Sequence, residues 1–249
     1  MRHYILLCMI ALSLCIILSA CTTAKQPQAL DALYYFQKGE VAFEDENYTE
    51  AIEHWQKVRD SFTSPELTEL AELKIADAQF KKELYIEAIA SYEDFLKQHP
   101  SNLRKSDVLL HLGKAHFEQI LAADRDQTAT RNALSTFEQL HKNFPGKIDT
   151  QELNYLILQC RDRLAENETY VGNFYLKTKH YKAAISRLEK VRCDHPEFYD
   201  MGHVLLYLAQ AHQQKGETDL ALALLNEVAN YNNNDLNKEA AKLRHEYNI

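Results

Sequence analysis

Glycine, proline and cysteine are scarce in this chain of 249 residues, which contains 6, 5 and 5 of them. So few glycines and prolines leave little material for the tight turns of a hairpin-rich β protein, and a helical chain is favoured. Three of the cysteines, Cys8, Cys15 and Cys21, lie near the N-terminus. Only two are left for the rest of the chain, and one pair of cysteines is too few for a disulfide framework. We expect the other two, Cys160 and Cys193, to be buried free thiols, with a disulfide as the alternative.

Basic residues are also in the minority, 28 against 36 acidic ones, and the formal net charge is −8. An acidic chain without basic blocks is a poor candidate for binding the phosphate backbone of nucleic acids. The sequence contains no GxSxG, HExxH, Walker or CxxC motif. Its histidines are scattered, and His111 and His116 fall on different faces of one helix. We therefore expect a binding protein rather than an enzyme, with no metal and no cofactor.

The N-terminal segment has the features of an export signal. Arg2 precedes an apolar run from Tyr4 to Leu18, which is shorter than the roughly 20 apolar residues of a membrane-spanning helix. The run closes in Leu18-Ser19-Ala20-Cys21, which resembles the lipobox of bacterial lipoproteins. An ordinary secretory signal with a chance cysteine is the alternative.

The lipobox resemblance implies how the mature chain begins. It implies a signal peptide over 1–20, acylation with palmitate at Cys21, and a short linker over 21–28 that keeps the protein near its membrane. Thr22 follows the cysteine, where an aspartate would favour the inner membrane. The resemblance therefore implies a lipid anchor on the periplasmic face of the outer membrane.

One apolar template recurs five times, at helix positions i, i+3, i+4, i+7 and i+10. The copies begin at Tyr48, Tyr85, Thr130, Tyr181 and Thr218. A small residue stands ahead of each copy, at Gly39, Ala76, Gly113, Gly172 and Ala209. The first four copies close near a proline, at Pro65, Pro100, Pro145 and Pro196. Proline ends a helix, and small residues let two antiparallel helices approach closely.

This pattern resembles the tetratricopeptide repeat. We predict an all-α fold, a right-handed solenoid of five tetratricopeptide-like helix pairs over 29–249 with a C-terminal capping helix. Extra residues in repeat three, around Leu121 to Gln127, predict a longer loop between its helices. Extra apolar periodicity before Gly172 predicts one long helix from about Asp149 to Thr178. The predicted capping helix carries Leu236, Ala240, Leu243 and Tyr247.

A phenylalanine recurs at one position of the first helix in three repeats, at Phe43, Phe80 and Phe117. Aromatic residues often dominate peptide interfaces, so this phenylalanine ladder is our candidate site for an unfolded peptide substrate. The alternative is that these rings pack between neighbouring helices.

The segment from Cys160 to Val191 carries a more specific resemblance. Its pattern of Arg163-Leu164-Ala165, Glu168, Val171, Phe174-Tyr175, Tyr181, Ala183-Ala184, Arg187 and Glu189 is similar to the BamD family of outer-membrane assembly lipoproteins. The resemblance implies a scaffold of the β-barrel assembly machinery. Its implied partners are the barrel subunit BamA, other assembly lipoproteins and unfolded outer-membrane proteins. A pilotin-like lipoprotein for secretin assembly, or an activator of peptidoglycan synthesis, is the alternative.

The same segment supplies the candidate partner-binding residues Arg187, Arg163 and Glu168. Arg187 lies beside the apolar stripe of its helix, where a guanidinium can bury its stem and present a planar fork to a partner carboxylate. An internal ion pair of Arg187 with Glu168, Glu189 or Asp194 is the alternative. We expect Arg163 to brace the long helix against its neighbour.

Overall fold

The computed structural model describes residues 29–61, 64–231 and 233–248, and this part of the chain is helical, without strands. It contains eleven α-helices and a short 3-10 helix, Ala229–Tyr231. The helices are α1 (Ala29–Glu44), α2 (Tyr48–Ser61), α3 (Pro65–Lys81), α4 (Tyr85–Gln98), α5 (Lys105–Phe117), α6 (Thr128–Asn143), α7 (Thr150–Lys177), α8 (Tyr181–Asp194), α9 (Met201–Gln214), α10 (Thr218–Val228) and α11 (Asn234–Tyr247). The predicted signal peptide over 1–20, the acylation site Cys21 and the linker over 21–28 lie outside the described residues.

Successive helices pack as the predicted pairs, α1 with α2, α5 with α6, α7 with α8 and α9 with α10. In the remaining pair, the Tyr92 hydroxyl of α4 donates to Asp77 of α3 at 2.7 Å. The all-α class and the tandem helix pairs predicted from the sequence are confirmed. The chain divides into two compact units after Lys74, within α3, so the first pair belongs to one unit and the helices from α4 onward belong to the other.

Four of the pairs share one turn between their helices. The residue two positions before the second helix has positive φ: Glu46 at 58°, Glu83 at 62°, Lys179 at 65° and Gly216 at 80°. In each turn the next amide donates to a carbonyl five residues back, as Leu84 N–H does to Gln79 at 2.9 Å. This is a Schellman ending, which satisfies the last carbonyls of the first helix.

The small residues mark where the two helices of a pair come closest. A β-carbon added at Gly39 would collide with the Trp55 ring, and one added at Gly113 would collide with Phe137. At Gly172 the added carbon would lie 2.7 Å from Leu188 Cδ2. These contacts confirm the predicted register of the helix pairs. Complete burial of a side chain such as Leu188 contributes about 1.5–3 kcal/mol to folding, so the same contacts stabilise the pairs.

Helix α7 is 28 residues long and confirms the long helix predicted for repeat four. The Asp149 side chain caps it by accepting hydrogen bonds from the amides of Gln151 and Glu152. Its first half, through residues such as Ile157, joins a hydrophobic cluster around Phe137. Its second half joins another cluster through Ala165, so the one helix is shared by two cores.

The extra residues of repeat three form the predicted loop between α5 and α6. Gln127 is 2% exposed, and its side-chain amide donates to the carbonyls of Ala122 at 2.9 Å and Arg125 at 3.1 Å. Asn167 of α7 donates to the Ala123 carbonyl at 2.6 Å. Gln127 therefore fixes the conformation of the insertion, and the hydrogen bond from Asn167 holds it against the long helix.

The predicted capping helix is confirmed as α11. Asn233 caps its first turn by accepting from the amides of Asp235 and Leu236. Leu236, Ala240 and Leu243 are buried, and Tyr247 packs at the edge of the same cluster. The helix therefore covers the apolar end of the last pair, which an open array of repeats requires.

The two remaining cysteines are both free thiols, but they differ in exposure. Cys160 is buried on α7, as predicted, and burial raises its thiol pKa to about 12. The prediction that Cys193 is buried is wrong: it is exposed, because it lies off the apolar stripe that Leu188 and Val191 form on α8. Among the described helices, none is long and apolar enough to cross a membrane.

Candidate partner-binding site on α7 and α8

Glu168 on α7 is the centre of an ion-pair cluster between α7 and α8. Arg187 Nη1 lies 2.9 Å from Glu168 Oε2, and Lys190 Nζ lies 2.6 Å from Glu168 Oε1. Each carboxylate oxygen therefore binds one cation. The Glu168 side chain is 13% exposed, whereas those of Arg187 and Lys190 are 46% and 52% exposed. Two cations share one anion, so the cluster presents a surplus positive charge to solvent.

The environment of Glu168 keeps its carboxylate ionised. Burial alone would raise its pKa, but hydrogen bonds from Lys190 and Arg187, together with their charges, lower it below the ordinary value. The same hydrogen bond raises the pKa of Arg187. Glu168 therefore holds the guanidinium in one place and leaves part of its planar fork uncovered.

Arg163 lies five residues before Glu168 on α7 and makes a different contact. Its Nη1 is 2.8 Å from Glu166 Oε2 on the same helix. Glu166 Oε1 accepts from the hydroxyl of Tyr199, in the loop after α8, at 2.6 Å. That hydrogen bond raises the pKa of Tyr199 to about 12. The link between α7 and this loop therefore runs through Glu166, with Arg163 neutralising its second oxygen.

A groove of about 660 Å³ lies beside this cluster, over the middle of α7 and between α6 and α8. Its apolar lining includes Leu134, Leu158 and Phe198. Charged side chains also line it, among them Arg161 and Glu138, which form an ion pair at 2.7 Å. The groove exists because the long helix α7 lies between α6, the second helix of repeat three, and α8, the second helix of repeat four.

The phenylalanine ladder is half-buried in the structure. Phe43 contacts the ring of Tyr48 with centroids 5.3 Å apart, and Phe80 contacts Tyr85 at 5.5 Å. The ring of Phe117 lies 6.5 Å from that of Phe137. Each ring thus packs on the second helix of its own repeat, and the Phe80 ring also stacks on that of His111 in α5 with centroids 6.4 Å apart. Part of each ring remains exposed to solvent.

Sequence reasoning found Arg187 and Glu168 but missed Lys190, which completes the cluster. Lysines are common on exposed helix faces, so its identity alone carries no signal. Its position three residues after Arg187 on the same helix face is the signal that would have found it. The described residues contain no group of three or more His, Cys, Asp or Glu arranged to hold a metal ion.

Comparison with known proteins gives a consistent set of relatives. The family described as "YfiO: Outer membrane lipoprotein" matches residues 28–225. The chain is 26% identical over 208 residues to the outer membrane protein assembly factor BamD of Rickettsia prowazekii, with 83% of each chain covered. It is 25% identical over 232 residues to BamD of Neisseria meningitidis serogroup A, with 86% of each covered. It is 24% identical over 196 residues to BamD of Haemophilus influenzae, with 75% of each covered.

Similar solved structures are more distant in sequence. The yeast Sti1 TPR2AB domain in complex with pHSP90 is 15% identical with a TM-score of 0.49, and the match covers 82% of this chain and 79% of that one. A tetratricopeptide repeat protein from Parabacteroides merdae is 16% identical with a TM-score of 0.43, covering 86% of this chain and 72% of that one.

Proposed function

The chain belongs to the YfiO family of outer membrane lipoproteins, and on that basis we propose that it is a non-catalytic scaffold of the β-barrel assembly machinery. In this role it binds the barrel subunit BamA, other assembly lipoproteins and unfolded outer-membrane proteins. The observation that carries the proposal is the family match, which extends over the helix pairs, together with relatives named as outer membrane protein assembly factors. Tandem helix pairs act by offering an extended surface, which suits a scaffold.

Arg187 is the proposed contact to the barrel subunit. Its guanidinium is half-exposed, and Glu168 fixes it from one side. A carboxylate of the partner can therefore bind the free edge of the fork, which is the geometry that arginine provides and lysine does not. Glu168 is a positioning residue in this proposal, and Arg163 contributes by securing the loop that follows α8 through Glu166.

The phenylalanine ladder is the proposed contact for unfolded barrel proteins. Phe80 and Phe117, and separately Phe43 in the first unit, keep part of each ring open to solvent. An unfolded barrel strand offers alternating apolar and aromatic side chains, and aromatic pairs gain about 0.5–1.5 kcal/mol beyond the area they bury. Each ring would bind such a side chain through its open edge.

Cys21 is the proposed membrane anchor, at the periplasmic face of the outer membrane. The Leu18-Ser19-Ala20-Cys21 motif supports it, and the family description as a lipoprotein agrees with it. In the variant Cys21→Ser we expect the chain to lose its acyl chains and to leave the outer-membrane fraction.

The experiment that tests the proposed function is purification of the affinity-tagged chain from detergent-solubilised outer membranes. We expect the barrel subunit to co-purify as the main partner, and depletion of the chain to lower the level of folded barrel proteins. A secretin as the main partner would assign the chain to secretin assembly. A peptidoglycan synthase would assign it to cell-wall synthesis, and either result would reject the proposal.

A further inference from the structure

Repeat four contains a region without acidic residues in an otherwise acidic chain. No aspartate or glutamate occurs over 169–188, whereas the whole chain has a net charge of −8. The same region carries Lys177, Lys179 and Lys182 at the turn between α7 and α8. All three are exposed, and none has a carboxylate partner among the residues that the structure describes. The region is therefore a local positive surface.

Two exposed aromatic rings adjoin these lysines. Tyr170 and Phe174 are 53% and 55% exposed. They lie at i and i+4 on α7 with Lys177 at i+7, so all three share one face of the helix. We call Tyr170, Phe174, Lys177, Lys179 and Lys182 the repeat-four ridge.

Ring contacts make the ridge continuous with the turn. The Phe174 ring lies 5.8 Å from that of Tyr175, which lies 6.2 Å from that of His180. At His180, a shallow depression is lined by Lys179 and Lys182, and by Lys215, which is paired with Glu217. The aromatic rings and the positive charges therefore form one surface.

We propose that the repeat-four ridge binds an anionic phospholipid surface. Tyrosine is enriched where proteins meet the membrane–water interface, and lysines are attracted to anionic headgroups. The identity of the cations favours lipid over a protein partner: protein interfaces are depleted in lysine and enriched in arginine, whose planar fork suits a single carboxylate. Flexible, unpaired ammonium groups suit a diffuse layer of phosphates.

The ridge would set the orientation of the protein at the membrane. The acidic remainder of the chain is repelled by anionic headgroups, so only this face approaches them. This inference goes beyond the proposed function, since it holds whichever complex the chain joins.

Binding to vesicles tests the proposal. The mature chain, which begins at residue 21 and so lacks the apolar run of the predicted signal peptide, carries Cys21→Ser so that no acyl chain contributes. It is mixed with vesicles of phosphatidylcholine alone or with added phosphatidylglycerol. We expect binding only to the phosphatidylglycerol vesicles, weakened by salt. Each lysine near such a surface contributes about fivefold, so neutralising Lys177, Lys179 and Lys182 to glutamine together should weaken binding about a hundredfold.

Matched variants keep the result interpretable. The control neutralises Lys142, Lys147 and Lys238, which are also exposed, and changes the net charge equally. The aromatic variant Tyr170→Ser/Phe174→Ser should weaken binding about tenfold, and circular dichroism should show every variant folded. Equal binding by the ridge and control variants, or no vesicle binding by the parent, would overturn the proposal.

Two further measurements separate this proposal from others. Binding of the parent to a glutamate-rich peptide, without binding to vesicles, would show that the ridge takes an acidic protein segment instead and would reject the lipid proposal. We expect the ridge variant to retain co-purification of the barrel subunit, so failure of the lipid proposal leaves the proposed function unaffected.

Discussion

The guanidinium of Arg187 donates to Glu168 Oε2 at 2.9 Å, from α8 across to α7. The contact matters because Arg187 is also the proposed contact for the barrel subunit. An internal ion pair and a partner contact predict different results when the two charges are exchanged.

Charge reversal and exchange at this pair is the first prediction. Arg187→Glu should leave the chain folded, since a pair of this exposure contributes at most about 1 kcal/mol, but should weaken binding to the barrel subunit. The exchange variant Arg187→Glu/Glu168→Lys should regain the lost stability without regaining binding. A basic residue at one acidic position of the partner should partly restore binding to Arg187→Glu. Pull-down of the barrel subunit measures binding, with Lys238→Glu as the control variant. Full recovery of binding by the exchange variant alone would assign Arg187 to internal structure.

The lowered pKa of Glu168 predicts a dependence on pH. A group whose pKa is lower in the folded state stabilises the fold at pH values above its unfolded pKa, and this contribution disappears as the pH falls through the folded pKa. At pH 7 Glu168→Gln should therefore cost about 1 kcal/mol. The difference between parent and variant should shrink as the pH falls below the ordinary value of 4.5. Urea unfolding at several pH values measures the difference in unfolding free energy between the parent and Glu168→Gln. A difference that does not change with pH would contradict the prediction.

Overpacking at Gly172 is the third prediction. Because Leu188 lies against this glycine, Gly172→Leu should push α7 and α8 apart and cost about 1–3 kcal/mol of unfolding free energy. Gln159→Leu adds the same side chain at an exposed position of α7 and should have little effect. Equal midpoints for the two variants in urea would show that the register of the pair is wrong.

The shared Schellman turns predict that introducing a glycine at one turn stabilises the chain and that removing the glycine at another destabilises it. Glu83 has a φ of 62°, which an L-residue adopts at a cost, so Glu83→Gly should stabilise the chain by roughly 0.5–1 kcal/mol. Gly216 has a φ of 80° and open space around it, so Gly216→Ala should lose about 1 kcal/mol through the backbone alone. Glu87→Gly, inside the first turn of α4, is the control and should destabilise. Thermal unfolding measures all three, and stabilisation by Gly216→Ala would contradict the prediction.

The phenylalanine ladder predicts a loss of peptide binding that can be separated from loss of packing. Replacing Phe43, Phe80 and Phe117 together by leucine retains most of the buried volume, so the chain should stay folded. The flat rings are lost, so the affinity for a synthetic peptide of alternating residues ending in phenylalanine should fall. Fluorescence anisotropy measures the affinity, and a folded variant with unchanged affinity would reject the ladder as a substrate contact.

The fold was largely predictable because it depends on spacing. The apolar stripe and the small residue before it determine which faces of two helices meet, and Gly172 against Leu188 follows directly from that pattern. The ends of α7 were predictable for a similar reason, because Asp149 is a good cap and the apolar period continues unbroken from there.

The site was less predictable because it depends on the directions of long side chains. Three acids were candidate partners for Arg187 from spacing alone, and only the crossing of α7 and α8 selects Glu168. The same crossing brings Lys190 to the second oxygen of that carboxylate. The exposure of Cys193 was missed because composition indicates that thiols tend to be buried, whereas its position around α8 decides the outcome.

Helix α7 also has a consequence for how the chain unfolds. In an ordinary array each repeat meets its neighbour through a limited interface, and local openings can stay local. Here one uninterrupted helix contributes to the cores of both repeat three and repeat four, so melting of either core removes packing from a helix that the other core also uses. We therefore expect repeats three and four to open as one cooperative unit. A partner bound to α8 would, through α7, slow the opening of the loop that Asn167 holds on repeat three.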